Sequence, residues 1–242
     1  MTRVSVCMAL YNGSEYVEEQ LKSILIQLSD EDEIIISDDG STDDSLNIVQ
    51  GLNDHRIRLM ENKTKNNLIL NFENALKHAG GKYLFLTDQD DIWEPNKINT
   101  MLKYLEDHDL VVCDCSVIDQ NGAVINDSYF KLRGSGKGFL KNLIKNRYVG
   151  CCMAFNRFVL DKSLPFPKII PMHDWWIGMV AEVFGKAFFC EKALVKYRRH
   201  DKNTSPFIKH NQYGFLEKIG FRMNLCWALF KLFFKPMNRI KF

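Results

Sequence analysis

The chain has 242 residues, 46% hydrophobic and 26% charged, with 14 glycines and 6 prolines. These proportions exclude a disordered tail, a collagen-like repeat and a low-complexity array, and the length suffices for a large core without covalent staples. The net charge of +2 hides an asymmetry: residues 192–242 hold twelve Lys or Arg against Asp201 and Glu217, leaving 20 basic and 28 acidic residues in the preceding stretch.

No run of 18 uncharged apolar residues occurs, so no conventional membrane span is expected. The opening Met1–Gly13 lacks the length and cleavage site of a signal peptide. Seven cysteines, an odd number without a CxxC pair, fit a reduced cytosolic compartment better than a disulfide framework or zinc site. Cys113 and Cys115 read as small hydrophobes packed in a core.

Val4 to Leu10 is a continuous apolar run, the pattern of a strand buried on both faces, and Asn12-Gly13 breaks it. Val17, Leu21, Ile24, Leu25 and Leu28 recur at helical spacing. A second buried strand covers Glu33 to Ser37 and a short helix Ser45 to Leu52. Ile57 to Glu61 is a third strand, followed by a helix from Leu68 to Ala79 that Gly80-Gly81 closes. Tyr83 to Thr87 is a fourth strand, running into Asp88-Gln89-Asp90-Asp91. Pro95 opens a helix reaching about His108. Leu110 to Ile118 is a strand with a hairpin turn at Asn121-Gly122. Val149 to Phe155 is expected as a strand, Trp175 to Phe184 as a helix, and Ala187 to Tyr197 as further strand. Residues 213–235 return to helical spacing, with Phe215, Ile219, Leu225, Leu229 and Leu232 apolar.

Alternating strands and helices over residues 1–118 imply an α/β fold, a mostly parallel sheet flanked by helices. Polar clusters fall at the carboxyl ends of strands one, two and four, the edge where such sheets bind ligands. No GxGxxG or GxxxxGK[ST] occurs, so a dinucleotide or P-loop site has no support. The expected organisation is a catalytic domain over 1–206 and a basic amphipathic helical appendage over 207–242.

Asp88, Asp90 and Asp91 repel one another at a strand end. A bound Mg²⁺ or Mn²⁺, with substrate phosphates completing its shell, would compensate them, and a solvated acidic turn is the simpler alternative. In the run from Asp38 to Asp44, a carboxylate at a strand end can accept the N3–H of uracil or thymine. The same run also serves as a turn and helix cap.

The two clusters join Ala9-Leu10-Tyr11-Asn12 with Glu15, His173-Asp174-Trp175-Trp176, and Tyr197-Arg198-Arg199-His200 with Asn203 and Ser205. Together they resemble the inverting glycosyltransferases of family 2, with a GT-A type, Rossmann-like fold, over roughly residues 2–206. The Asp88-Gln89-Asp90-Asp91-Ile92-Trp93 segment is most similar to the rhamnosyltransferase-like branch. The resemblance implies that Ala9, Leu10, Tyr11, Asn12 and Glu15 line the nucleotide side. Asp38 reads the pyrimidine, with Asp39 as its rival, and Asp88 and Gln89 face the ribose. Asp90, Asp91 and His200 hold the metal, Arg198 meets the diphosphate, and Asp174 is the catalytic base. The position before the base is often Glu in this family and here is His173. Trp175 and Trp176 are the candidates for stacking on an acceptor sugar.

The partners so implied are a dTDP- or UDP-linked sugar donor and a saccharide or lipid-linked oligosaccharide acceptor. The C-terminal helix interleaves Phe215, Phe221, Trp227, Phe230, Phe233 and Phe234 with Lys218, Arg222, Lys231, Lys235, Arg239 and Lys241. That composition suits the anionic inner face of a cell membrane. Nucleic acid is not an expected partner, since the body is acidic and no reader motif occurs. A sugar-phosphate nucleotidyltransferase and a non-catalytic membrane-surface or sugar-binding module are the alternatives.

Overall fold

The computed structural model describes residues 2–64, 66–201, 203 and 214–234. Ser205, Lys235, Arg239, Lys241 and the expected boundary between 206 and 207 lie outside the described residues. Strands β1 (Val4–Leu10), β2 (Glu33–Asp38), β3 (Ile57–Glu61) and β4 (Tyr83–Thr87) pair in parallel in the order β3-β2-β1-β4. Every residue of β1 and β2 is buried, which is why their sequences run apolar without alternation. Helices α1 (Val17–Leu25), α2 (Ser45–Gly51) and α3 (Leu68–His78) make the crossovers. Asn67 caps α3 by accepting from Leu70 N at 3.0 Å.

The register sets Leu10 beside Asp38 and Met8 beside Thr87. The segments that follow β1, β2 and β4 therefore emerge side by side at one edge. Beyond β4 the sheet turns mixed. Strand β5 (Ile92–Trp93) precedes helix α4 (Lys97–Leu105), and β6 (Leu110–Ile118) forms the expected hairpin with β7 (Val124–Asn126). After short helices α5 (Tyr129–Arg133) and α6 (Phe139–Ile144) come β8 (Met153–Asn156), α7 (Arg157–Ser163), α8 (His173–Phe184) and β9 (Ala187–Arg198). Strand β8 lies antiparallel between β4 and β6, while β9 runs parallel to β6 and antiparallel to β5. Most cross-strand partners remain parallel.

Three expectations change. The strand expected over 149–155 is a 3₁₀ turn at Gly150–Cys152 and pairs only from Met153 onward. Gly150 there approaches His173 so closely that a Cβ would sit 3.0 Å from Nε2. The helix expected from Pro95 starts at Lys97, because Asn96 takes a left-handed conformation (φ +66°) and Ile92–Trp93 are drawn into the sheet. Helix α8 begins two residues early, placing Asp174 in its first turn.

All seven cysteines are free and six are buried, Cys113 and Cys115 among them. Helix α9 (Phe215–Phe233) packs Leu225, Ala228 and Leu229 inward, with the Phe233 ring 4.7 Å from that of Phe184 in α8. Its opposite side exposes Leu216, Met223, Trp227 and Phe230, in line with Phe234 just beyond it. The helix thus has two apolar stripes where an amphipathic helix has one. Among the described residues, no helix is long and apolar enough to cross a membrane.

Gly81 supports this register: a Cβ there would meet Ser5 N at 2.6 Å, whereas one at Gly51 would meet nothing within 4 Å. Gly81→Ala should cost about 2 kcal/mol or more in urea unfolding. Gly51→Ala at the end of α2 should be neutral or stabilise by up to ~1 kcal/mol. Equal effects would contradict the close approach.

Candidate active site

The edge formed by β1, β2 and β4 opens into a cavity of about 560 Å³. Ala9, Leu10, Tyr11, Asn12 and Glu15 line it, as expected, together with Asp39, Asp88, Gln89, Asp90 and His200. Sequence reasoning missed Tyr16, Asn67 and Asn71 on its walls. Only the capping pattern around Asn67 offered a signal.

Of the two pyrimidine-reading candidates, Asp38 is turned into its own loop. Its carboxylate accepts from Gly40 N at 3.0 Å and from Ser41 N and Oγ, and it does not line the cavity. Asp39 faces the cavity, held by Asn62 Nδ2 at 2.8 Å and Asn67 N at 2.9 Å. Of the two, Asp39 is therefore the carboxylate that faces the cavity.

Gln89 forms a two-way amide pair with the Tyr11 backbone: Tyr11 N donates to Oε1 at 2.8 Å and Nε2 donates to Tyr11 O at 3.0 Å. A Cβ at Gly13 would lie 2.6 Å from the Gln89 amide carbon, so the loop closes this tightly only over glycine. Asn12, at φ +47°, accepts from Thr42 N at 2.8 Å and ties this loop to the next.

Behind the cavity lies the acidic cluster. Asp90 Oδ2 accepts from His200 Nε2 at 2.8 Å and Asn203 Nδ2 at 2.9 Å, and the His200 ring stacks on Tyr16. Asp91 is buried. Its Oδ1 accepts from Arg198 N at 2.9 Å, while Oδ2 accepts no hydrogen bond. Burial, reinforced by the Asp90 charge, pushes Asp91 up to about 7. Asp88 is pushed well above the usual carboxylate range by burial and by Asp91, Asp90 and Asp174.

Arg198, expected to meet a diphosphate, does not line the cavity. It is 3% exposed and donates to Asp90 O, Gln120 O and the Glu19 carboxylate. It fixes the acidic loop from behind. Lys97, fully buried, went unrecognised in the sequence. Its Nζ donates to Cys151 O at 2.7 Å and lies 3.7 Å from the Trp93 ring centroid, and its charge lowers both Asp88 and Asp91. In sequence it reads as an ordinary surface lysine at a helix start.

Asp88, Asp91 and Cys151 bring ligand atoms within 4.8 Å of one another. The Cys151 thiol is pushed well above its usual value by the neighbouring Cys152 thiol and by burial, so it stays protonated. The remaining donors are hard oxygens, with His200 close by. The unbonded, buried Asp91 Oδ2 is the kind of lone pair that a small divalent cation satisfies. The donor set fits Mg²⁺ or Mn²⁺.

Asp174 lies outside the cavity lining, but its charge reaches Asp88. Its Oδ1 accepts from Trp175 N at 2.6 Å and Asn146 Nδ2 at 3.1 Å, and burial pushes it up to about 6. Burial also pushes His173 down to about 3, so its ring, stacked 4.0 Å from Phe72, is neutral. Trp175 and Trp176 are buried, and their indole N–H groups donate to Asn142 O and Ser163 O. Both rings, expected against an acceptor sugar, are packed in the core.

The raised pKa of Asp174 carries a stability consequence. The folded value lies above 3.8, so protonation favours the fold. That gain is complete below 3.8 and is lost as pH rises through about 6. Asp174→Asn removes the buried charge and should raise Tm by ~5 °C at pH 8, but by only ~1 °C at pH 4. A pH-independent difference in scanning calorimetry would contradict the burial argument.

Comparison with known proteins agrees with this geometry. A family model described as "Glycosyl transferase family 2" matches residues 5–164. An uncharacterized glycosyltransferase of Haemophilus influenzae is 27% identical over 95% of this chain and 75% of its own length. The Escherichia coli UDP-Glc:alpha-D-GlcNAc-diphosphoundecaprenol beta-1,3-glucosyltransferase WfgD is 27% identical over 84% of this chain and 79% of its own. Among solved structures, S. aureus TarS 1-349 in complex with UDP-GlcNAc superposes with a TM-score of 0.68 at 20% identity, covering 83% of this chain. The chain spans 60% of that TarS chain. The mannosyltransferase PcManGT from Pyrobaculum calidifontis, in complex with GDP-Man and Mn2+, gives 0.62 at 18% identity, over 95% of this chain and 72% of its own. These likenesses establish the GT-A fold. With the family model covering well over half of its residues and the sheet edge built as described, the chain belongs to glycosyl transferase family 2.

Proposed function

We propose that the chain is a metal-dependent, inverting glycosyltransferase. It moves a sugar from a nucleoside diphosphate, UDP ahead of dTDP, to a hydroxyl of a lipid-linked or surface-polysaccharide acceptor. The carrying observation is a nucleotide-sized cavity closed by Asp88 and Asp90, with the separate buried carboxylate of Asp174 within electrostatic reach. Gln89, which marks the rhamnosyltransferase-like segment, is committed to the Tyr11 backbone. We therefore put the hexoses named for the relatives, glucose and N-acetylglucosamine, ahead of rhamnose. Family membership speaks against the nucleotidyltransferase alternative.

Asp39 accepts the N3–H of the base, and Tyr11 and Glu15 border the ribose. Asp174 takes the proton of the acceptor hydroxyl as the new O–C bond forms and the bond to the diphosphate breaks. Its pKa near 6 leaves it ionised above neutrality yet more basic than an exposed carboxylate. Asp88, Asp90, Asp91 and His200 would hold Mg²⁺ or Mn²⁺, which when bound supplies charge stabilisation to the departing diphosphate. Arg198 and Lys97 keep the carboxylates in place.

The catalytic unit is residues 1–206. Helix α9 serves as an appendage whose outward stripe, with Lys231 5.0 Å from the Trp227 ring centroid, lies on the anionic inner face of the cell membrane. Trp227→Ser with Phe230→Ser should reduce co-sedimentation with phosphatidylglycerol vesicles at least tenfold. Undiminished sedimentation would remove α9 from the membrane contact.

Calorimetric titration with UDP, dTDP, CDP and GDP, with and without Mn²⁺, tests the donor reading. Metal-dependent binding confined to UDP and dTDP is expected, and Asp39→Asn should weaken it at least tenfold. Asp174→Asn should bind UDP like the parent chain and lose transfer by a factor of about 10³ or more. Absence of any nucleotide binding would favour the non-catalytic module.

A further inference from the structure

Between residues 129 and 149 the chain carries six basic residues and no acidic one. Three of them gather around Asn146, the residue that donates to Asp174. The charge of Arg133, then burial and the charge of Arg147, hold the Lys145 ammonium below its usual pKa. Among the described residues, none of the three is in an ion pair. The Nε–H groups of Arg133 and Arg147 are buried and donate to no acceptor.

The cluster is a built feature. Arg147 donates through Nη1 to Gly134 O, and its own carbonyl accepts from Ser135 Oγ at 2.9 Å. Arg133 lies over the Tyr129 ring, 5.9 Å from its centroid, and Tyr129 meets Tyr197 edge-on at the cavity wall. Tyr129 feels the charges of both Arg133 and Asp174.

Three crowded cations, none ion-paired with a carboxylate, are stabilised by an anion, and two guanidinium groups with an ammonium suit phosphate oxygens. The donor diphosphate already has its place at the acidic edge, so this anion belongs to another ligand. Helix α6 borders the cluster and exposes Leu140 by 69% and Ile144 by 65%. Arg222 of α9 donates to Ile144 O, so the outer surfaces of α6 and α9 adjoin. Phosphate-binding and apolar surfaces thus meet next to Asp174.

We propose that Arg133, Lys145 and Arg147 bind the diphosphate of a lipid-linked acceptor, whose hydrocarbon chain runs over Leu140 and Ile144. The inference rests on the acceptor reading given above and assigns it a site. It is tested by calorimetry on the full chain in EDTA, with farnesyl diphosphate and inorganic pyrophosphate as probes. Farnesyl diphosphate should bind at least tenfold more tightly than pyrophosphate. Lys145→Ala, an exposed position, should weaken both about fivefold or more. Leu140→Ser with Ile144→Ser should weaken farnesyl diphosphate alone. Equal affinities for the two probes would overturn the assignment, as would parental binding of farnesyl diphosphate by Lys145→Ala. UDP with Mn²⁺, titrated into the same variants, should bind unchanged. Its failure to bind the parent chain would count against the enzymatic reading and leave the cluster result standing.

Discussion

Mutual repulsion among Asp88, Asp90 and Asp91 is the constraint around which the second half of the molecule is arranged. A strand end with three carboxylates in four residues is unfavourable by itself. Each is compensated from a different part of the chain. Lys97 reaches Asp88 and Asp91 from the start of α4, Arg198 fixes the loop through Asp90 O and its own backbone N–H to Asp91, and His200 and Asn203 hold Asp90 Oδ2. The compensation is incomplete: Asp91 remains near 7, and one of its oxygens has no hydrogen bond. A divalent cation held there would displace protons from these carboxylates, so its affinity would depend on pH.

Asp174 adds to the repulsion felt by Asp88, but its own pKa has a different cause. Its pKa rises through burial, and backbone and Asn146 donors keep it from rising further. One fold therefore carries two kinds of perturbed carboxylate, a cluster raised partly by like charge and Asp174, raised by desolvation. Neutral His173 adds no charge beside Asp174. What positions Asp174 is packing, since Trp175 and Trp176 lock the first turn of α8 through indole hydrogen bonds to backbone carbonyls.

Much of the parallel half was legible in the sequence, because strands buried on both faces leave continuous apolar runs and their polar ends mark the ligand edge. Asp88 and Asp90 stood out by standing at the end of an apolar strand, whereas Asp174 and His200 were picked out only through the resemblance, His200 sitting in a charged loop. What escaped was set by three-dimensional register. Asp38 and Asp39 differ by one residue, and only the turn that bonds Asp38 to Gly40 and Ser41 decides which faces the cavity. The tryptophans carry an acceptor-like signature, yet burial is invisible to residue type. Lys97 shows the converse, since nothing local distinguishes a buried lysine from a surface one. The strand expected at 149–155 forms only from Met153, the turn at Gly150–Cys152 before it holding Gly150 against a distant histidine.

The ligands of Asp90 and Asp91 lie 107 to 113 residues further along the chain. During synthesis on the ribosome the four parallel strands emerge first, carrying an acidic edge whose partners are not yet made. That half can collapse early around β1 and β2, but its ligand-binding face can mature only after β9 and the segment through Asn203 have left the exit tunnel. Vectorial synthesis therefore separates the folding of the parallel half from the completion of its acidic edge.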